Sequence, residues 1–122
     1  MKLWRVLVAV PLASLASQAL AENWVTVATF EDGTSYSIDK NSIRRGSDGL
    51  VYYTDKGAYD GNGDRDVAGH AMDCERHLSY LLKVDLMIGK HVDYADWRDH
   101  GDSIKAGTAL EGELNYVCAN AG

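Results

Sequence analysis

Three segments in the first half of the chain have the pattern of β-strands. Residues 24–30 are rich in β-branched and aromatic side chains, and the turn residues 31–34 follow them directly. We therefore predict a strand, a turn and a second strand from Ser35 to Asp39, with a short extended continuation at 43–45. The glycine-containing turn 45–49 then leads into a third predicted strand at 50–54.

The stretch from Asp55 to Asp66 interrupts this pattern. It contains three glycines and four acidic residues and has no periodic apolar positions, so we interpret it as a long exposed loop. Extended structure is expected to resume from Val67 to Cys74.

The segment 78–86 fits two kinds of structure. Its alternate positions are apolar, as in a strand with one buried face: Leu78, Tyr80, Leu82, Val84 and Leu86. The four leucines of the segment also stand at helical spacing. Periodicity therefore favours a strand only slightly, and a helix is the alternative structure for this segment. Gly89-Lys90 ends the segment, and 91–94 is the last expected strand.

The clearest helix signal lies near the C-terminus. Thr108-Ala109-Leu110-Glu111 matches the capping box, in which the threonine hydroxyl accepts an early amide and the glutamate reaches back. The helix should begin there, and it carries an apolar stripe that must be buried: Leu110, Leu114, Val117 and Cys118.

The two cysteines connect this helix with the predicted sheet. If 67–74 is a strand, Cys74 shares its face with Ala68, His70 and Met72. A bond from Cys74 to Cys118 would hold the helix across that face. The sequence thus predicts an α+β fold, a sheet with one helix clasped to it.

The first 21 residues have the composition of a cleaved signal peptide. A basic start, Met1-Lys2-Leu3-Trp4-Arg5, precedes an uncharged run of 16 residues from 6 to 21, which is shorter than the roughly 20 residues of a membrane-spanning helix. We place cleavage between Ala21 and Glu22. No cysteine near this point could accept a lipid, so we expect a soluble periplasmic or secreted product with no membrane insertion after cleavage.

Length, charge and cysteine content narrow the class of protein. Residues 22–122 fit one domain. They contain 10 basic and 18 acidic residues, a formal net charge of −8 that disfavours nucleic acids and anionic lipid surfaces as partners. In an oxidising compartment an even cysteine count indicates a disulfide between Cys74 and Cys118, whereas a metal site is disfavoured because neither belongs to a C-x-x-C pair.

From Trp24 to Cys118 the chain resembles the surface-adhesin protein E family of small exported proteins from Gram-negative bacteria. The segments that carry the resemblance are Trp24, Asp39-Lys40-Asn41-Ser42-Ile43, Asp73-Cys74-Glu75-Arg76, Gly89-Lys90-His91-Val92, Trp97 and Val117-Cys118. Before the last helix, Ala106-Gly107-Thr108 stands where family members typically have Pro-Gly-Ser.

The resemblance implies a fold and an activity. The fold is an antiparallel sheet of about six strands with a C-terminal helix tied to one face by the disulfide, which favours a strand at 78–86. The activity is cell adhesion through bound protein ligands, and the resemblance also implies haem binding and a homodimer. The leading hypothesis is therefore a non-enzymatic, exported protein-binding module. A haem or small-ligand carrier and a periplasmic enzyme or inhibitor are the alternatives.

Motifs for catalysis or metal binding are largely missing from the sequence. Asp60-Gly61-Asn62-Gly63-Asp64 begins like a calcium loop, but Arg65 stands where that loop needs glycine and Ala71 where it needs glutamate. The four histidines are scattered, and no G-x-S-x-G occurs. We therefore predict no catalytic residue, no cofactor and no metal.

The candidate partner surface consists of acidic residues and one tryptophan. Asp60, Asp64 and Asp66 should favour a basic partner at long range, and Trp97 is a residue type that often anchors interfaces. For Trp97, packing is favoured over partner binding, because the resemblance implies that a tryptophan near this place seals the sheet beside the helix.

Overall fold

A computed structural model describes residues 21–59 and 64–121 of the chain. Antiparallel pairing joins the strands β1 Trp24–Thr29, β2 Ser35–Asp39, β3 Arg44–Arg45, β4 Val51–Tyr59, β5 Asp64–Asp73, β6 Leu78–Asp85, β7 His91–Asp93 and β8 Asp102–Ser103. The sheet order is β1-β2-β4-β5-β6-β7, while β3 pairs with β4 and β8 pairs with β6. The helix α1 spans Ala109–Asn120. The predicted α+β class, with a C-terminal helix on an antiparallel sheet, is confirmed.

The first predicted hairpin is confirmed, but its continuation is not. The chain leaves β2 through a 3₁₀ turn at Lys40–Ser42. The N-cap residue of this turn is Asp39, whose side chain accepts a hydrogen bond from the Asn41 amide. The turn redirects the backbone, so residues 44–45 form a separate short strand that pairs with β4 instead of extending β2.

The interpretation of residues 55–66 as a long loop was wrong. β4 continues to residue 59 and β5 begins at residue 64, and their ladder pairs Asp55 with Ala68 and Gly57 with Asp66. Sequence periodicity missed this extension because Asp55 is a charged residue on a buried face, where the pattern predicts an apolar one. Residues 60–63 lie outside the described part of the chain.

The strand at 78–86 is confirmed, although its predicted single apolar face is wrong. Tyr80 pairs with Ala71 and Val84 pairs with Ala68, with a register irregularity between the two pairs. Ala68 and Ala71 are three residues apart on β5 and face opposite sides. Tyr80 and Val84 therefore also face opposite sides, because the bulge shifts the alternation by one residue.

The predicted capping box begins α1. The Thr108 hydroxyl accepts the Glu111 amide at 3.3 Å, and the Glu111 carboxylate accepts the Gly107 amide at 3.0 Å. The C-terminal half of the helix then closes the core. Leu114 and Val117 from the helix, and Ala121 after it, pack with the sheet residues Ile38, Val51, Tyr53 and Met72. No helix in the described ranges is long and apolar enough to cross a membrane.

The predicted disulfide is confirmed. Cys74 directly follows β5 and is bonded to Cys118 in the last turns of α1, with their Cα atoms 5.9 Å apart. The predicted signal peptide lies almost entirely outside the described residues, so cleavage between Ala21 and Glu22 stays a prediction.

Replacing both cysteines with serine should release the end of α1. The bond spans 44 residues, and the entropy of closing such a loop in the unfolded chain corresponds to roughly 4 kcal/mol. We expect the double variant to lose about 2–5 kcal/mol in urea unfolding, with amide exchange in α1 rising more than in β4 and β5. Unchanged unfolding and unchanged exchange would contradict this role.

Gly112 allows α1 to approach β1. A Cβ atom added there would lie 2.8 Å from the Val27 carbonyl oxygen. Gly112→Ala should therefore destabilise the fold by about 1 kcal/mol or more in urea unfolding, although alanine is the better helix former. The exposed Asn115→Ala is the control, with unchanged or slightly higher stability expected. A stabilising Gly112→Ala would show that the helix does not pack this closely.

Candidate functional site

A buried cluster of polar side chains lies between the sheet and the first half of α1. β4 supplies Tyr53 and Asp55, which are two residues apart and therefore share a face. β5 supplies His70, which pairs with Tyr53 across the strands. α1 supplies Glu113, which is 1% exposed, and Asp55 is 7% exposed.

Short contacts join these four side chains. His70 Nε2 lies 3.0 Å from Asp55 Oδ1. The Tyr53 hydroxyl donates to Glu113 Oε1 at 2.7 Å, and its ring stacks on the His70 imidazole with centroids 5.3 Å apart. His70 Nδ1 is buried and has no hydrogen-bond partner among the described residues.

The two carboxyl groups share one proton. Burial and the neighbouring Asp55 carboxylate raise the pKa of Glu113 to about 10. Burial also acts to raise the pKa of Asp55, but hydrogen bonds from His70 and Glu113 outweigh it and hold that pKa below its usual value. Glu113 is thus the protonated member and Asp55 the charged one, as expected for two close carboxyl groups away from water.

A cavity of about 570 Å³ reaches this cluster. Its floor and roof contain the small residues Gly57, Ala68 and Ala109, which leave space beneath the first turn of α1. The remaining wall is mainly aliphatic and aromatic: Tyr36, Val84, Leu86, Tyr94 and Leu110. The cavity therefore combines an apolar body with one polar end formed by Asp55, His70 and Glu113.

The structure describes two of the three acidic residues of the predicted partner surface. Asp60 lies outside the described residues, and Asp64 is the first residue of β5. Asp66 is not in a free loop as predicted: it is part of β5, its carboxylate accepts the Met87 amide at 2.9 Å, and it borders the cavity. Ladder pairing with β4 explains this difference.

Trp97 packs on the sheet, but not beside the helix. Its ring meets Tyr52 and Tyr80 edge to face, with centroids 6.2 Å and 5.5 Å apart. Tyr52 alternates with Tyr53, which faces α1, so Trp97 covers the opposite face of the sheet. The predicted position beside the helix was wrong, because the segment after β7 crosses to that other face.

Sequence reasoning missed this cluster, although one signal was present. Glu113 lies between Leu110 and Val117 on the apolar stripe of the helix, and His70 lies between apolar residues on the face of β5 that the sequence predicted to be buried. Charged or titratable residues at positions whose periodicity predicts burial are uncommon without a partner. This signal could not identify Asp55, because Asp55 lies in the segment that the sequence pattern had predicted to be a loop.

The shared proton can be tested with Glu113→Gln, whose amide replaces the protonated carboxyl. Glu113 keeps its proton in the folded chain up to a pKa of about 10 but loses it in the unfolded chain near the usual glutamate pKa of 4.5. The folded state then binds the extra proton, so the wild-type free energy of unfolding falls as pH rises through this window.

From about pH 5.5 to 8.5, we expect the wild type to lose stability relative to Glu113→Gln, by at most about 1.4 kcal/mol per pH unit. Urea unfolding with a chelator present, followed by tryptophan fluorescence, measures this difference. A difference that stays constant or moves toward the wild type would contradict the shared proton.

Searches of protein-family models, curated proteins and solved structures found no match to this chain. The resemblance to surface adhesins therefore stays a prediction, and the function has to be argued from the geometry of the cluster and its cavity.

Proposed function

We propose that this protein is an exported, non-enzymatic binding module that holds a small ligand in the cavity between α1 and the sheet. The observation that carries the proposal is the buried carboxyl pair, Asp55 and Glu113, at the polar end of a cavity of about 570 Å³. Sites for small molecules commonly occupy about 300–1,000 Å³ and combine apolar walls with a few polar groups.

The energetic cost of the cluster supports a binding role. Burying a charged carboxylate and an unpartnered imidazole nitrogen lowers stability, and well-packed apolar residues often serve a core as well or better. Groups of this kind are concentrated at functional sites. Asp55 and His70 lie beneath the part of α1 where the core ends, which is where a ligand can reach them.

The charge of the cluster indicates what kind of ligand it would accept. Asp55 is ionised and Asp66 borders the same cavity. A ligand with a cationic or hydrogen-bond-donating group at one end and an apolar body at the other complements this arrangement. The rings of Tyr36 and Tyr94 add faces that attract a cation.

The proton affinity of Glu113 supports binding over catalysis. A general acid or base works best when its pKa lies near the working pH. A pKa of about 10 keeps Glu113 protonated at neutral pH, so it serves as a fixed hydrogen-bond donor to Asp55.

A second candidate function is protein binding at the surface beside Trp97, in line with the adhesin resemblance. The exposed side chains of Leu81 and Tyr94 flank a depression of about 460 Å³ beside Trp97. Asp96 and Asp102 also line it. This combination of aromatic, aliphatic and acidic groups suits a basic, apolar segment of a partner protein.

Filling the cavity tests the primary proposal. Ala68→Leu should place its side chain in the cavity, while Ala58→Leu, on the other face of β4, is the matched control. The probes are hexylamine and benzylamine, with hexanoate and benzoate as anionic counterparts. Binding of each probe is measured by the change in amide chemical shifts, with a chelator present. We expect the amines to shift the cavity residues and Ala68→Leu alone to abolish this.

Equal binding of the carboxylates, or amine binding that survives Ala68→Leu, would contradict capture in this cavity. Chemical shifts confined to the surroundings of Trp97 would favour the second candidate function.

A further inference from the structure

Three potential metal ligands converge at the polar end of the cavity. One ligand atom each from Asp55, His70 and Glu113 can be chosen such that all three lie within 4.8 Å of one another. A zinc ion with bonds of about 2.0–2.2 Å separates its ligand atoms by roughly 3.3–3.6 Å. The observed 3.0 Å between His70 Nε2 and Asp55 Oδ1 is close to this spacing.

The chemistry of the three donors selects a class of metal. Calcium prefers six to eight oxygen ligands, and magnesium keeps several waters at an octahedral site. One imidazole nitrogen with two carboxylate oxygens instead suits a first-row divalent transition metal such as zinc. Such an ion would neutralise both carboxylates and replace the proton that Asp55 and Glu113 share.

The surroundings of the cluster fit an ion-binding site with an open position. Tyr53 holds Glu113 through its hydroxyl and fixes the plane of His70 by stacking, which is the orienting role that neighbouring groups play around metal ligands. All three candidate ligands line the cavity. Neither ring nitrogen of His70 is hydrogen-bonded to a backbone group, because Nε2 faces Asp55 and Nδ1 has no partner among the described residues.

We propose that Asp55, His70 and Glu113 bind one divalent transition-metal ion, with its remaining coordination position open to the cavity. This inference deepens the proposed function, because it names a metal cation as a ligand that the cavity accepts. The ion would compete with an organic cation for the same carboxylates.

An exposed cluster with the same donor types provides a matched control. His91 lies between Asp85 and Asp93, with its Nδ1 facing one carboxylate and its Nε2 2.8 Å from the other. These carboxylates lie on opposite edges of the ring, so they do not converge on one ligand nitrogen. His91→Gln should therefore leave the proposed site intact.

Zinc titration by isothermal calorimetry tests the proposal, with chelator-treated protein that comprises residues 22–122. We expect one zinc ion per chain, a loss of affinity of roughly 10-fold or more for Glu113→Gln and for His70→Gln, and an unchanged affinity for His91→Gln. Magnesium should not compete. Absence of zinc binding, wild-type affinity in both cluster variants, or loss of binding in His91→Gln alone would overturn the proposal.

A second measurement decides the outcome if a cluster variant fails to fold. Long-range proton–nitrogen NMR correlations of the histidine rings in the wild type should show zinc shifting the His70 nitrogens and not those of His91. The reverse pattern would overturn the proposal. Amine binding without zinc binding would reject the metal site and leave the proposed function unaffected. Zinc binding without amine binding would reject only the binding of organic cations and leave the metal site unaffected.

Discussion

The bond between Cys74 and Cys118 determines where α1 can lie, and most other features follow from that position. A helix of 12 residues is too short to persist alone in water, so its structure depends on packing against the sheet. The bond fastens its C-terminal end beside β5, where Leu114 and Val117 complete the core. Gly112 lets the middle of the helix approach β1 closely.

The opposite end of the helix is not sealed in the same way. Small residues on both sides leave a cavity beneath the first turn, and Glu113 stands at the boundary between this cavity and the core. Its carboxyl group meets Asp55 and Tyr53 from β4, so the polar cluster also links helix and sheet. The C-terminal half of the helix thus stabilises the fold, while Glu113 supplies a polar group to the cavity.

The sequence predicted the features of this fold that depend on local patterns. The capping box at Thr108, the hairpin before Asp39 and the cysteine pairing each need only nearby residues or a count of two cysteines. It failed where distant pairing overrides local pattern, as in the extension of β4 through Asp55 and the bulge that separates the faces of Tyr80 and Val84.

The candidate site was hidden for the same reason. His70 meets Tyr53 only through the register of two strands, and Glu113 reaches Asp55 only because the disulfide and the core place α1 above them. None of these relations is a motif with fixed spacing. The one local signal was a titratable residue on each of two faces that periodicity predicts to be buried.

If the buried cluster is a binding site and not only a polar link between helix and sheet, it should hold an ion in the folded protein. Anomalous X-ray scattering at the zinc edge, from crystals equilibrated with zinc, distinguishes these two roles. We expect one strong peak between the side chains of Asp55, His70 and Glu113. A peak at His91 alone, or an unaltered cluster without a peak, would contradict it.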